Sequence, residues 1–192
     1  MSLIVLAAAL ALLRLAAVYD LRHPLVPAIA IWVAAIAGMD LPDLDLVLPF
    51  GHRSALTHSL LPALLLLPLR WARPAATGLA IGIGLHLSAD TFPEAMTGFA
   101  TVKLPIGGSL GVSGSYAWLA LNAVGGVGLG AMGLARVVEH RAAAAGAAAA
   151  LLLSGFLYLL RVDGGWLALL AYTALGLIGY RLSSSKPGSQ EL

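Results

Sequence analysis

The sequence predicts an all-α, multi-pass membrane protein of about seven transmembrane or membrane-embedded helices, and three observations predict it. Of the 192 residues, 60% are hydrophobic and only 10% are charged, with a mean hydropathy of +0.93. A soluble domain carries about a quarter of its residues as charges, so too few polar side chains exist here to cover a water-facing surface. Apolar runs also recur along the chain at lengths near the roughly 20 residues that cross a bilayer. Finally, the few charges divide by side in the way that the positive-inside rule requires.

Taken in order, the expected spans are 2–19, 24–39, 55–69, 74–91, 114–135, 142–160 and 165–181. The first resembles a signal-peptide core, but it lacks a Lys/Arg-rich start and a small-residue cleavage site, so it reads as a retained helix. The second and third are short and contain Pro27, Pro62 and Pro68, which predicts tilted, kinked or re-entrant segments. Gly78 and Gly82, then Gly126 and Gly130, form small-xxx-small patterns that allow helices to approach closely. Residues 105–115 are rich in Gly and Ser. They lack the Lys-Ser or Lys-Thr of a phosphate-binding loop, so a flexible connection is expected. One membrane-embedded domain over 1–182 and a polar, disordered tail over 183–192 complete the expected organisation.

With the N-terminus outside, the inner loops and tail carry Arg22, Arg70, Arg73, Arg136, Arg141, Arg181 and Lys186, and the outer loops carry Arg53, Lys103 and Arg161. The acids gather oppositely: Asp40, Asp43, Asp45, Asp90 and Glu94 all fall on the outer face. Cysteine is absent, which excludes disulfides and thiolate metal sites. A net charge of +2 gives no reason to expect a nucleic-acid partner. The expected partner is the lipid bilayer.

Three short stretches carry the candidate chemistry. His86 and Asp90 are four apart on an expected helix and share a face, near the outer end of the fourth span, where a polar pair is costly unless paired or coordinated. Asp43 and Asp45 follow Pro42 in an expected extended or turn conformation. There two carboxylates two residues apart aim at one point and repel unless a cation lies between them. His52 and His58 bracket the start of the third span, with Arg53 beside the first and Thr57 and Ser59 beside the second. His23 and His140 fall on the inner side and read as structural or interfacial. A donor set of imidazoles and carboxylates without sulfur suits Zn²⁺, with Mn²⁺ or Fe²⁺ as alternatives, and is large enough for one or two ions.

These stretches resemble the YdjM-like family of membrane-bound metal-dependent hydrolases of bacterial and archaeal inner membranes. The resemblance rests on Pro42-Asp43-Leu-Asp45, on His52-Arg53 through Thr57-His58-Ser59, and on His86 through Asp90, and it covers residues 40–98. More remotely, the His86–Asp90 element resembles the metal-binding helix of zinc-dependent phospholipases C. The family's N-terminal His has no counterpart, and Glu94 with a displaced Gly98 alters the segment after Thr91. The resemblance implies an inner-membrane hydrolase with its site on the outer side. Asp43, Asp45, His58, His86 and Asp90 are then the metal ligands, His52 a ligand or proton shuttle, Arg53 an anion anchor and Glu94 a general base. A site at the membrane edge suggests a lipid-linked or amphiphilic phosphoester as substrate. Two other readings stay open: a transporter binding a metal or proton in transit, and a non-catalytic protein whose His/Asp network locks its helices together. No residue pattern in the sequence fixes an oligomeric state.

Overall fold

The computed structural model describes residues 2–19, 23–47 and 51–184. Among these are seven α-helices and no strands: α1 (Ser2–Val18), α2 (Leu25–Asp40), α3 (Leu61–Leu66), α4 (Arg73–Asp90), α5 (Gly111–Val137), α6 (Arg141–Leu159) and α7 (Gly165–Ser184). Four segments, Leu25–Leu46, Gly111–Val137, Arg141–Leu159 and Gly165–Leu182, are long and apolar enough to cross a membrane. The chain is therefore a membrane-associated helical protein.

The bundle is built around α4, which is buried without a break from Pro74 to Gly84. Glycine makes this burial feasible, because helices that approach closely leave no room for a Cβ. A Cβ on Gly78 or Gly82 would collide with the carbonyl oxygens of Ile31 or Ala35 on α2, and one on Gly130 would strike Ile81 from α5. The small-xxx-small patterns thus mark the two closest helix pairs, α2 with α4 and α4 with α5. Matching contacts advance together on α2 and α4, which run parallel, and in opposite directions on α4 and α5. α6 runs parallel to α4, with Gly155 beside Leu85 and Tyr158 beside His86. α7 returns antiparallel, with Tyr172 against Ser88. Asp40, Asp90, Arg161 and the starts of α5 and α7 therefore share one end of the bundle. Arg73, Arg136 and Arg141 share the other.

Three boundaries differ from the sequence expectation. The third span is not a membrane-length helix: only Leu61–Leu66 is helical. Pro62 is tolerated in a first turn, but Pro68 cannot continue the helix. The chain completes the passage to Arg73 through a turn and a short 3₁₀ segment, where Trp71 packs on the α1 side of the core and lies under the Arg14 guanidinium at 5.8 Å. The Gly/Ser-rich connection is shorter than expected, because α5 already begins at Gly111. Ser183 and Ser184 belong to α7. The remainder of the expected tail, 185–192, lies outside the described residues, as does Arg22.

Candidate metal centre

Four pieces of backbone meet at one end of the bundle. The first follows α2, where Pro42–Leu46 forms a 3₁₀ turn. Leu41 is helical rather than extended, with φ −63° and ψ −37°. With about three residues per 3₁₀ turn, positions two apart point in different directions. The expected convergence of Asp43 and Asp45 on one point is therefore replaced by divergence. Asp43 reaches toward His86, at 3.7 Å from Oδ1 to Nε2. Asp45 turns inward and is fully buried. Its Oδ2 accepts hydrogen bonds from the Ser54 N–H at 2.9 Å and the Thr57 hydroxyl at 2.8 Å, and it lies 3.0 Å from His58 Nδ1.

The second piece is the 51–60 loop, pinned from two sides. Its backbone pairs with Lys103, which donates to the Arg53 carbonyl and accepts from the Ala55 N–H, both at 2.8 Å. On α5, the Trp118 indole donates to the His58 carbonyl at 2.7 Å, and the Asn122 side chain accepts from the Leu60 N–H at 3.0 Å. The loop holds Arg53 at φ 57°, a left-handed conformation that is uncommon for a side-chain-bearing residue. In this setting the buried guanidinium donates to Asp90 Oδ1 and to the Ala100 carbonyl, both at 2.8 Å. His52 lies at the mouth, its ring stacked on Phe99 at 4.3 Å and its Nδ1 3.4 Å from Asp45 Oδ1.

The third piece is the last turn of α4. His86 and Asp90 share a face as expected, 3.4 Å apart from Nε2 to Oδ2. The fourth is the end of α6, which contributes Tyr158. His86 Nδ1 lies 2.7 Å from the Met39 carbonyl and 2.9 Å from the Tyr158 hydroxyl. A carbonyl only accepts, so Nδ1 carries the proton and Nε2 presents its lone pair. His58 is oriented in the same way: Nδ1–H faces the Asp45 carboxylate, and Nε2 points at Asp90 Oδ2 from 3.2 Å.

The result is a concentration of buried polar atoms without hydrogen-bond partners: His58 Nε2, His86 Nε2, Asp90 Oδ2, Asp45 Oδ1, His52 Nδ1 and Arg53 Nε. Such atoms are costly unless something satisfies them. Ligand atoms of Asp43, His58 and His86 all lie within 4.8 Å of one another, close enough to hold one ion. Asp90 Oδ2 adds a fourth donor. The Asp90–His58, Asp90–His86 and Asp43–His86 separations are 3.2, 3.4 and 3.7 Å. The imidazoles and carboxylates gathered here could hold a metal ion.

His58 lies in the connecting loop, outside the membrane-spanning helices. Burial alone would lower its pKa, but the Asp45 and Asp90 carboxylates on either side of the ring outweigh burial and raise it above the usual 6.5.

The cluster forms one wall of a cleft of about 620 Å³, whose other walls include Phe99, Tyr158 and Val162. Glu94 is exposed and lies on the same cleft, with no hydrogen bond or ion pair to the cluster among the described residues. His23 and His140 fall at the opposite end of the helices. Sequence reasoning did not find Tyr158, the Met39 carbonyl or Phe99. Tyr158 lies 72 residues from His86, and its only sequence signal is a polar aromatic residue at the outer end of an apolar span. Comparison of the chain with protein-family models, with curated proteins and with solved structures finds no match.

Proposed function

We propose that this chain is a membrane-embedded metal-dependent hydrolase, using zinc, that acts on a phosphoester of a lipid-linked or amphiphilic substrate at the membrane edge. The observation that carries this reading is the set of unpartnered donors, His58 Nε2, His86 Nε2 and Asp90 Oδ2, completed by the half-exposed Asp43 on the wall of a cleft large enough for a polar headgroup. The resemblance of residues 40–98 to the YdjM-like hydrolases supports the same chemistry.

In this reading Asp43, His58, His86 and Asp90 are the ligands. Asp45 departs from the sequence expectation: it positions His58 by accepting from Nδ1–H, as a carboxylate behind a ligating imidazole does. The Met39 carbonyl and Tyr158 do the same for His86. Bound in this site, a divalent ion supplies a Lewis acid that lowers the pKa of water toward neutrality. Arg53 holds Asp90 in place and offers positive charge to an anionic group in the cleft. His52 and Glu94, at the mouth, are the groups placed to accept and return a proton.

The test is metal content by elemental analysis of detergent-purified protein, wild type beside His86→Ala and Asp90→Ala. Stoichiometric metal in the wild type, lost in both folded variants, is the expected result and justifies a phosphoester screen. A wild-type protein that stays metal-free after incubation with Zn²⁺ and Mn²⁺ sinks the proposal and leaves the cluster as a helix-locking network.

A further inference from the structure

The end of the bundle opposite the His/Asp cluster carries a second, unrelated cavity. Because α3 stops after Leu66 and the chain then turns toward α1, the interface of α4 and α5 is left uncovered on one side. The slot so formed is about 310 Å³. Leu64 and Leu67 form one wall, Leu129 and Met132 the other, and Ala76 and Ala80 the floor. Walls this apolar, facing the lipid-crossing α5, accept a hydrocarbon chain rather than water. At the mouth lie Arg73, which opens α4, and Arg136, in the last turn of α5. Both are exposed. Neither makes a hydrogen bond or ion pair among the described residues, and Glu139, the acid nearest in sequence, is bonded to neither.

We propose that this slot binds one anionic phospholipid, with its phosphate between Arg73 and Arg136 and an acyl chain lying between α3 and α5. The charge at the mouth and the apolar length below it match the two halves of that ligand. Guanidinium groups suit phosphate because their planar N–H pairs meet two oxygens at once. Basic pockets between membrane helices are a general recognition mode for anionic headgroups. A second copy of this chain would have to bring acidic residues to the two arginines. At this end of the molecule Glu139 is the single described acid, so charge complementarity favours lipid over self-association.

The experiment is native mass spectrometry of the full chain in detergent, titrated separately with phosphatidylglycerol and phosphatidylcholine. The wild type is expected to retain one phosphatidylglycerol at least tenfold more tightly than phosphatidylcholine. With each surface arginine contributing about 1 kcal/mol, Arg73→Gln combined with Arg136→Gln should weaken phosphatidylglycerol binding about tenfold to thirtyfold. Leu67→Trp fills the slot, leaves both arginines in place, and should weaken both lipids. Arg181→Gln removes a positive charge outside the slot and should change neither. Equal retention of the two lipids by the wild type, or unchanged phosphatidylglycerol binding in both the double variant and Leu67→Trp, overturns the proposal. So does a dimer that added phosphatidylglycerol does not dissociate and that Leu67→Trp abolishes.

Discussion

α4 and α7 are of similar length, 18 and 20 residues, yet they live in different environments. α4 is covered on nearly every side and carries His86 and Asp90. α7 turns Leu167, Leu170, Leu175, Leu177 and Ile178 outward, each more than half exposed. α7 is apolar enough to stand against lipid, whereas α4, with its glycines, His86 and Asp90, is not among the segments apolar enough to cross a membrane unaided. In a bilayer, hydrophobicity therefore marks the helix that touches lipid. The helix that carries chemistry is recognised instead by small residues and isolated polar groups.

The largest expected effect breaks this contrast directly. Gly82→Leu drives a side chain into the backbone of α2 at Ala35 and Gly38. It should cost about 4 kcal/mol or more, read as a melting transition lost in detergent. Gly82→Ala should cost about 1–3 kcal/mol. On α7, where a Cβ at Gly176 or Gly179 meets nothing within 4 Å, Ala should be neutral within about 0.5 kcal/mol. An equal loss from both helices would refute the division of labour.

Next in size are the substitutions at the site. Asp90→Ala removes a proposed ligand and should weaken Zn²⁺ binding by more than about 100-fold, measured by chelator competition. Asp45→Asn, which keeps the volume but weakens the acceptor behind His58, should cost about 10- to 100-fold. If Asp45→Asn proved the more severe, Asp45 would itself be a ligand, as the sequence suggested.

A smaller effect concerns protons. Because the fold raises the His58 pKa, folding takes up a proton there. This contribution to stability is fully present below the unfolded value near 6.5 and disappears as pH rises through the raised folded value. The melting temperature of chelator-treated protein should fall across that window, and His58→Gln should flatten the slope. Added Zn²⁺ should reverse the trend, since the ion binds only once Nε2 is free. A metal-free protein whose melting temperature rises over the same window would place the dominant titration elsewhere.

How far the sequence could be read follows the same physics. His86 and Asp90 were legible because their relation is set by one turn of one helix. The relation of Asp43 to Asp45 was not, because an extended segment and a 3₁₀ turn share the Pro-Asp-x-Asp pattern and differ only in where the side chains point. The passage 55–69 is apolar whether or not it is helical. Pro62 and Pro68 were the available signal, and they announced a disturbed span without giving its length. Tyr158 and the Met39 carbonyl meet His86 only through tertiary packing. One contributes a side chain far away in sequence and the other no side chain at all.

The brevity of α3 also constrains how the protein enters the bilayer. A six-residue helix followed by a turn and a three-residue 3₁₀ segment falls far short of the roughly 20 helical residues that cross a bilayer. This stretch cannot partition into the bilayer by itself as it emerges, and α4 behind it is too poor in apolar residues to lead. Stable insertion of both then waits for α5, whose Asn122 and Trp118 receive the Leu60 N–H and hold the His58 carbonyl. The histidines and carboxylates of the cluster are thus assembled only after most of the chain has been synthesised.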